Sequence, residues 1–403
     1  MKKFDSIVCI SQTSWEGDFQ KAVVQLMTEL SVRHKVLFID YQYTFKDLAM
    51  GMAGRRRVPV RKLLRLTDPL TQVTPEGGKE VYVWMPPLAL PLNWLSPAQH
   101  DRFINLNVNR LVDGLRPVLK KLSMNRPLVV NGFNPVWGLP MLGKLNECAT
   151  IYYCFDEIAT AGDWMSRHGV RLEQQYLPRV DACVTTSETL RQAKSALQPR
   201  TFCVRNGANF DLFSTARQLA EKQPPIKPVV GYLGSADNRI NLDLVEHCVR
   251  TMPDVTFEFI GEVHDPRIRE RLSGYANVIF TPPRQPAELP PLLAGWSAGI
   301  IPFVCNAHTY TIYPLKINEY LAAGLPVVST PFSLLDDFDG VIERAARPEE
   351  FAQALRRALA DSSPRRMAER VETARRNSWE KRAEEFEEVI GQIPAAWSAE
   401  QPV

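Results

Sequence analysis

The chain has 403 residues, of which 45% are hydrophobic and 23% are charged, and its formal net charge is +3. This length predicts two domains rather than one core, and the small net charge excludes a strongly basic nucleic-acid-binding protein. The seven cysteines contain no C-x-x-C pair, which favours reduced thiols in a cytoplasmic protein and argues against a zinc site.

Short β-rich runs alternate with helical patterns over residues 1–212, beginning with SIVCIS, DFQKAVVQLMTELSVR and HKVLFIDY. The runs VYVWM, PLVVNG, TIYYCF, ACVTTS and TFCVRN continue the alternation. Such alternation is typical of βαβ units that build a parallel sheet. We therefore expect the first domain to be an α/β domain.

The segment GRRRVPVRKLLRL, residues 54–66, combines six basic residues with three leucines. A solvated basic loop is the default interpretation of such a run. Basic and apolar side chains together also suit an anionic bilayer, so peripheral membrane contact is a second hypothesis. No aromatic stacking motif accompanies the segment, and nucleic acid is therefore not an expected partner. The most hydrophobic stretch, 81–95, is too short and too rich in proline to predict a membrane span.

Two acidic residues, Asp156 and Glu157, directly follow the predicted strand TIYYCF. The carboxyl ends of parallel strands meet at the edge of the sheet where ligands bind, so both carboxylates are expected there. A carboxylate at that edge can act as a general base towards a hydroxyl group. Capping of the following helix by Asp156 is the alternative. Glu173 is a weaker candidate, expected on a solvated helix face.

A polar, proline-bearing stretch, residues 214–228, breaks the pattern and predicts a linker. A second α/β array follows it, with the runs VVGYLG, VTFEFIG, NVIF, AGIIPF and PVVST. Two consecutive doubly wound domains place a central cleft between the carboxyl ends of their parallel sheets. The GYLG run lacks the third glycine and the later acid of a dinucleotide fingerprint, so a nicotinamide cofactor is not expected.

The segment TYTIYPLKINEYLAAGLPVVST, residues 309–330, predicts a helix that starts at Pro314 and ends just before Gly324. Because this helix follows a strand, its first N–H groups and Lys316 can hold a phosphate. Glu319 lies on the same face one turn later, where a carboxylate can accept from both hydroxyls of a ribose. A surface pair between Lys316 and Glu319, worth about 0.3 kcal/mol, is the alternative.

The stretch EYLAAGLPVVST resembles the donor-binding helix of GT-B glycosyltransferases of the family-4 type, which carry two glutamates before this motif. Glu319 matches the second glutamate, and Thr311 stands in place of the first. The whole segment is similar to a subgroup in bacterial surface-polysaccharide synthesis, the teichuronic-acid and glucuronosyl type. That resemblance implies that Lys316 holds the diphosphate of the donor.

The resemblance extends over most of the chain. SQTSWEGDFQKAVVQLMTEL is similar to the N-terminal loop and helix of these enzymes, which places Trp15, Glu16 and Gly17 on the acceptor side together with Glu157. NVIFTPPRQPAELPPLLAGWSAGIIPF is similar to their base-binding strand and loop, with residues 278–284 at the base. Gly234, the last residue of the GYLG run, and Ser235 after it are expected to let a sugar diphosphate approach the backbone. The Arg and Lys pair that the family carries after the first strand of this domain is absent, and Arg239 is expected to substitute for it in part. The other donor-binding candidates are Arg284, His308, Thr311, Tyr313 and Leu315.

The resemblance implies a GT-B fold with two Rossmann-like parallel-sheet domains. Residues 1–212 would bind the acceptor, residues 213–378 would bind the nucleotide-sugar donor, and a helix in 379–403 would pack back on the first domain. The implied reaction moves a sugar from a UDP-linked donor to a hydroxyl of a glycan or lipid-linked acceptor, with Asp156 as the base and no metal or cofactor. A cytoplasmic location is expected, and peripheral contact with the inner face of the plasma membrane is the second hypothesis for residues 54–66.

Two rival functions share this bilobal plan. A UDP-sugar epimerase would interconvert sugars without an acceptor. A catalytically silent nucleotide-sugar-binding module is suggested by the absence of the first glutamate, at Thr311.

Overall fold

The structure is a computed structural model that describes residues 4–17, 21–75, 80–160, 163–222 and 227–393. Its contacts divide the chain into two compact units. Unit 1 comprises the described residues within 1–17, 21–204 and 383–403, and unit 2 comprises those within 205–382. The change from one unit to the other after Val204 lies before the predicted boundary at residue 212.

The described part of unit 1 contains an eight-stranded sheet in the order β3-β4-β2-β1-β5-β6-β7-β8. All neighbouring strands are parallel except β3 and β4. All residues of the β1 and β6 strands are buried, as parallel strands require when both faces of the sheet are covered. The strands are β1 (Ile7–Ser11), β2 (Val36–Ile39), β3 (Leu70–Val73), β4 (Val81–Trp84), β5 (Leu128–Gly132), β6 (Ala149–Cys154), β7 (Ala182–Thr185) and β8 (Thr201–Cys203).

Helices connect these strands in chain order. They are α1 (Ala22–Leu30), α2 (Phe45–Met52), α3 (Val60–Leu63), α4 (Pro97–Lys121), α5 (Pro135–Met141), α6 (Asp163–Tyr176) and α7 (Glu188–Ser195). The hydrophobic stretch 81–95 contributes β4 and then a segment without helix that ends before α4. Within the described ranges, no helix is long and apolar enough to cross a membrane.

Unit 2 contains, in its described part, a six-stranded parallel sheet in the order β11-β10-β9-β12-β13-β14. Its strands are β9 (Val229–Leu233), β10 (Thr256–Ile260), β11 (Val278–Thr281), β12 (Ala298–Ile301), β13 (Val327–Ser329) and β14 (Glu343–Arg344). Its helices are α8 (Phe210–Lys222), α9 (Leu242–Thr251), α10 (Pro266–Leu272), α11 (Leu289–Leu293), α12 (Leu315–Ala322), α13 (Pro348–Ala360) and α14 (Pro364–Arg376).

The last helix of the described chain is α15 (Trp379–Gln392). From Ala383 onward it belongs to unit 1, where the Phe386 ring lies 6.1 Å from the Tyr153 ring and Glu387 Oε1 lies 2.8 Å from His34 Nε2. Residues 394–403 of the predicted C-terminal segment lie outside the described residues.

The prediction of a linker over residues 214–228 is wrong for residues 214–222. Residues up to Lys222 continue α8, because Phe213 and Ala216 are buried in the core of unit 2 and hold the helix there. The sequence signal failed because the exposed face of this helix is polar. Residues 223–226 lie outside the described residues.

In both sheets the strand order reverses next to the first strand of the unit. β1 lies between β2 and β5, and β9 lies between β10 and β12. Open parallel sheets bind ligands beyond the carboxyl ends of the strands at such a reversal. The residues that follow these strands are therefore the first place to look for binding sites.

Candidate functional site

Helix α12 follows β12 in unit 2 and carries the two charged residues singled out from the sequence. Pro314 is extended, with φ −82° and ψ 112°, and the helix begins one residue later than predicted, at Leu315. Beyond its last residue, Ala322, Gly324 has φ 78° and its N–H donates to the Leu321 carbonyl at 2.9 Å. The predicted helix and its glycine end are thus confirmed.

Tyr320 anchors α12 to the sheet. Its hydroxyl accepts a hydrogen bond of 2.7 Å from the N–H of Leu233 at the end of β9. The Tyr320 ring lies edge-on to the Trp296 ring. A Cβ on Gly299 of β12 would lie 2.4 Å from the Tyr320 ring, so this position requires glycine. Sequence reasoning missed this residue, although a tyrosine directly after Glu319 in an apolar helix was a signal for it.

The side chain of Lys316 lies at the carboxyl end of β9. Its Nζ atom is 5.5 Å from the centre of the Tyr232 ring and 5.8 Å from that of Phe303. A Cβ built on Gly234 would lie 2.5 Å from Lys316 Cε, so the lysine stem covers this glycine. Among the described residues Lys316 has no ion-pair partner. Aromatic faces attract its charge without neutralising it.

Glu319 lies one turn further along α12, and only 7% of its surface is exposed. In the part of the chain that the structure describes, its carboxylate makes no hydrogen bond or ion pair. The alternative of a surface ion pair between Glu319 and Lys316 is therefore wrong. Because buried charged groups are almost always paired, an unpartnered buried carboxylate is a mark of a ligand site.

Burial shifts the pKa values of both residues towards their neutral forms. The pKa of Lys316 is lowered by burial and further by the Arg239 guanidinium, although Glu319 opposes this shift. The pKa of Glu319 is raised by burial, and the Lys316 ammonium opposes that rise. An anion beside Lys316 and hydroxyl donors beside Glu319 would each favour the charged form.

Arg239 brings a second cation, after Lys316, to the Phe303 ring. Its guanidinium lies 5.3 Å from the centre of the Phe303 ring and donates to both Asp237 oxygens, at 2.8 and 2.6 Å. Burial would raise the pKa of Asp237, but the Arg239 hydrogen bonds hold it below its usual range. Arg239 is thus fixed in place and adds positive potential near Lys316.

The backbone beneath Lys316 requires glycine. Gly234 has φ 115°, in the left-handed region, and a Cβ on Gly261 would lie 2.4 Å from the Gly234 carbonyl oxygen. The Ser235 carbonyl accepts from the Tyr232 hydroxyl at 2.8 Å. Gly231 has a different role, because a Cβ there would lie 2.0 Å from the Trp296 ring.

The loop before α12 is held by its own hydrogen bonds. The Thr309 hydroxyl donates to the Val304 carbonyl at 2.6 Å, and the Thr309 N–H donates to Asn306 Oδ1 at 2.9 Å. The Thr311 hydroxyl donates to the His308 carbonyl at 2.8 Å. Thr311 therefore closes a short turn where the family-4 type carries a glutamate.

The remaining predicted donor residues are more scattered. The Tyr313 hydroxyl donates to Asp337 at 2.9 Å and its ring stacks on Phe338, so this side chain is engaged inside unit 2. Leu315 is half-buried at the first position of α12, and Arg284 is exposed after β11. Their contacts with a donor stay predictions.

In unit 1, Asp156 and Glu157 follow β6 as expected. The Asp156 carboxylate accepts from the Glu157 N–H at 2.8 Å. The Glu157 carboxylate accepts from the Ala159 N–H at 3.3 Å and from Lys194 Nζ at 3.1 Å. Lys194 thus holds Glu157 at the carboxyl end of β6.

The expectation that Glu173 lies on a solvated face is wrong. Glu173 is buried and accepts hydrogen bonds of 2.8 Å from both the Tyr152 hydroxyl and Lys194 Nζ. Burial raises the pKa of Glu173, and the nearby Lys194 opposes that shift. Lys194 compensates the buried charge, and no sequence pattern pointed to this lysine.

The loop after β1 is fastened by Asp40, which follows β2. The buried Asp40 carboxylate accepts from the Trp15 N–H at 2.9 Å, and burial raises its pKa. Glu16 is exposed and pairs with Lys62 of α3 at 3.2 Å. Gly17 has φ 146°. Their predicted place on the acceptor side stays a prediction.

No group of three or more His, Cys, Asp or Glu side chains in the described ranges is arranged to bind a metal. The geometry that does emerge is a cationic position at the strand-order reversal of unit 2. Lys316 and Arg239 share one aromatic ring above Gly234, and the buried Glu319 lies on the same helix. Such a combination can bind an anionic group with a hydroxylated group next to it.

Comparison with known proteins identifies what this chain resembles. Residues 227–361 match the family model described as glycosyl transferases group 1. A protein named as a teichuronic acid biosynthesis glycosyltransferase, TuaH of Bacillus subtilis (strain 168), is 27% identical over 239 residues. The match covers 54% of this chain and 59% of that relative, so it spans less than two thirds of the relative's length.

Solved structures match nearly the whole chain. A sucrose-phosphate synthase from Thermosynechococcus elongatus has a TM-score of 0.66 and 16% identity, covering 96% of this chain and 98% of its own. An E. coli trehalose-6-phosphate structure bound with UDP-2-fluoro glucose has a TM-score of 0.66 and 12% identity, with 96% and 100% covered. These likenesses show the fold, and the predicted GT-B architecture is confirmed.

Proposed function

We propose that this chain, which carries a glycosyl transferases group 1 domain at residues 227–361, moves a sugar from a nucleoside diphosphate donor to a hydroxyl of a glycan or lipid-linked acceptor. The name of the Bacillus subtilis relative supports an acceptor in bacterial surface-polysaccharide synthesis. The relatives named above are glycosyltransferases and sugar-phosphate synthases, and they lend no support to an epimerase.

The observation that carries this proposal is the position of Lys316. Its ammonium lies beside the left-handed Gly234, 5.5 and 5.8 Å from the centres of two aromatic rings, and has no ion-pair partner among the described residues. The first N–H groups of α12 carry partial positive charge next to it. We assign the donor diphosphate to this position, where the ammonium stabilises the negative charge of the leaving group.

Glu319 supplies the contact with the ribose. Its buried carboxylate has no donor of its own in the described ranges, so two ribose hydroxyls can satisfy it. The base is assigned to residues 278–284, with Arg284 at the end of this segment. UDP is the proposed nucleotide, which the bound UDP-2-fluoro glucose in a structure of the same fold supports.

The donor sugar is assigned to the loop 306–313. The hydrogen bonds of Thr309 hold this loop in a defined conformation before any ligand arrives. Thr311 places a short hydroxyl side chain where the family-4 type carries a glutamate. We infer that sugar recognition here uses hydroxyl, imidazole and backbone groups near His308 in place of that carboxylate.

Asp156 is the proposed general base for the acceptor hydroxyl. Its carboxylate takes the proton of the acceptor hydroxyl, whose oxygen forms a bond to C1 of the donor sugar. The bond between C1 and the diphosphate oxygen breaks, and the nucleoside diphosphate leaves with that electron pair. Glu157, held by Lys194, lies next to Asp156 at the carboxyl end of β6.

Residues 54–66 are the proposed membrane contact. Leu64 and Leu66 are 43% and 67% exposed, whereas Leu63 is buried. Arg56 is paired with Asp47, and the other arginines of the segment add positive charge next to the exposed leucines. Apolar and basic groups together bind anionic lipid. We propose that the protein works in the cytoplasm at the inner face of the plasma membrane.

The test is UDP release from a panel of UDP-sugars, measured with and without a lipid-linked or glycan acceptor. Transfer predicts UDP release that depends on the acceptor and a product that carries the donor sugar. Interconversion of sugars without an acceptor would identify an epimerase instead. UDP binding with no release under any condition would identify the silent binding module.

A further inference from the structure

A buried lysine of unit 1, Lys194, connects two carboxylates that lie on different elements. Its Nζ atom donates to Glu173 at 2.8 Å and to both carboxylate oxygens of Glu157, at 3.2 and 3.1 Å. Only 8% of the Lys194 side chain and 5% of the Glu173 side chain are exposed, compared with 24% for Glu157. The Tyr152 hydroxyl donates to Glu173 as well, at 2.8 Å. We call these four side chains the lysine cluster.

Three elements of unit 1 bring the lysine cluster together. Tyr152 lies on β6, Glu173 lies on α6, and Lys194 lies in the last turn of α7. Glu157 follows β6 directly. A lysine in the last turn of a helix ordinarily stays in water, where it interacts with the helix dipole. The burial of Lys194 is therefore set by its two carboxylate partners.

Stability alone does not account for this buried ion pair. Taking Lys194 and Glu173 out of water costs free energy that their attraction only about balances, and neutral side chains of similar volume are often equally stable in such places. Removing one partner, in contrast, leaves an unpaired buried charge, which is strongly destabilising. A buried pair of this kind can instead fix the geometry of the groups that it contacts.

The group fixed here is the turn that follows β6 and carries Asp156. The Phe155 carbonyl accepts from the Thr186 hydroxyl at 3.2 Å, which ties the start of the turn to the end of β7. The Glu157 N–H donates to the Asp156 carboxylate at 2.8 Å. Glu157 is thus bonded to Asp156 through its backbone and to Lys194 through its side chain.

We propose that Lys194 is a positioning residue for the acceptor reaction, which acts through Glu157 to hold the turn so that the Asp156 carboxylate faces the acceptor hydroxyl. This inference rests on the proposed function, in which Asp156 is the general base. Displacing a reacting group by about 1 Å can cost roughly 100-fold in rate. The contribution of Lys194 should therefore appear in kcat and leave donor affinity unchanged.

The test combines Lys194→Met with Glu173→Gln in the full-length protein, and we call this the neutral variant. It removes both buried charges with little change in volume, and the glutamine amide still accepts from the Tyr152 hydroxyl. The partly exposed Glu157 can then turn towards water. With the UDP-sugar and acceptor that support UDP release by the wild-type protein, kcat should fall roughly 10- to 100-fold. The Kd of UDP and the KM of the acceptor should stay within about twofold, and the urea midpoint should not fall.

Two further comparisons separate positioning from a merely structural role. Glu157→Ala leaves the buried ion pair intact and removes only the link to the turn, so it should lower kcat by a similar factor. Adding the neutral variant to Asp156→Asn should lower kcat less than about twofold further, because both changes act on the same base. Arg33→Met with Glu387→Gln removes an ion pair near the amino end of β2, and this matched control should leave kcat unchanged.

The outcomes distinguish this inference from the proposed function. A wild-type kcat in the neutral variant or in Glu157→Ala would overturn the inference and leave the proposed function standing. A full further loss in the Asp156→Asn background would also overturn it, and so would a fall in UDP affinity and urea midpoint that accompanies the loss of kcat. Wild-type protein that releases no UDP with any acceptor would overturn the proposed function, and the inference with it.

Discussion

The Nζ atom of Lys316 lies 5.5 Å from the centre of the Tyr232 ring, at the point where the strand order of unit 2 reverses. Such a contact stabilises a partly desolvated ammonium by about 0.5 to 2 kcal/mol, which is less than hydration provides. The ammonium is therefore held in position with its attraction for anions largely unsatisfied.

Replacing Lys316 with methionine should weaken UDP binding roughly 10- to 100-fold, because one charge-assisted hydrogen bond to the diphosphate is lost. Calorimetric titration of UDP and of uridine checks this, since uridine lacks phosphate and its affinity should not change. Lys227→Met, at an exposed position of the same unit, is the control and should leave both affinities unchanged. Equal loss of UDP and uridine binding would contradict the assigned role.

Glu319→Gln should stabilise the protein and weaken UDP binding together. Burial raises the pKa of Glu319 in the folded state, so the folded protein holds this proton at pH values where the unfolded chain has released it. The free energy of unfolding of the wild-type protein therefore falls as pH rises from roughly 4.3 through the folded-state pKa. Glutamine does not titrate. The difference in free energy of unfolding between the Glu319→Gln variant and the wild-type protein should therefore grow over that pH window and then level off.

Urea unfolding at a series of pH values measures this difference, which we expect to reach about 1 to 3 kcal/mol. An advantage of Glu319→Gln that does not vary with pH would show that the carboxylate is not destabilised by burial. Unchanged UDP affinity in this variant would contradict the ribose contact.

Gly234→Ala should lower stability by about 1 to 3 kcal/mol and displace Lys316, because φ is 115° and the new Cβ would lie 2.5 Å from Lys316 Cε. UDP affinity should fall with it. Gly274→Ala is the matched control, since a Cβ there meets no atom within 4 Å. If both alanine variants unfold at the same denaturant concentration, the close approach of Lys316 to this glycine is not maintained in solution.

Asp156→Asn should reduce acceptor-dependent UDP release at least about 100-fold, because the general base is lost. UDP affinity should stay within about twofold of the wild-type value, since the donor residues are unchanged. Steady-state release and calorimetry, run on one preparation, separate the two effects. Release at the wild-type rate would remove Asp156 from the mechanism and leave it the helix-capping role.

Replacing Leu64 and Leu66 with serine should reduce binding to vesicles that contain anionic lipid, because both side chains are exposed next to arginines. Co-sedimentation with anionic and with neutral vesicles, at low and at high salt, measures the apolar and the ionic contribution. Leu197→Ser, a similarly exposed leucine of unit 1, should not change binding. Equal loss in that control would show that any exposed leucine of unit 1 has this effect, and would contradict a specific contact by residues 54–66.

Local signals were enough to predict the helix that carries Lys316 and Glu319, because a proline start, a glycine end and apolar spacing all lie within one short segment. They were also enough for the parallel sheets, which follow from alternating strands and helices. Gly234 was predicted as a close backbone approach, but the group that approaches it, Lys316, lies far away in the sequence and could not be read from it.

Contacts between distant segments account for the errors. Glu173 was expected in solvent because its helix looks polar, and its burial depends on Lys194, 21 residues later. His100 and His168 show no shared motif, yet their rings stack across two helices. Burial of ionisable groups is decided by partners that only the folded chain brings together.

A crystal structure of the protein soaked with UDP tests the roles of Lys316 and Glu319 together. We expect diphosphate oxygens within about 3 Å of Lys316 Nζ and ribose hydroxyls at the same distance from the Glu319 carboxylate. UDP bound away from α12, with Lys316 still next to the Tyr232 and Phe303 rings and Glu319 without a donor, would contradict these roles.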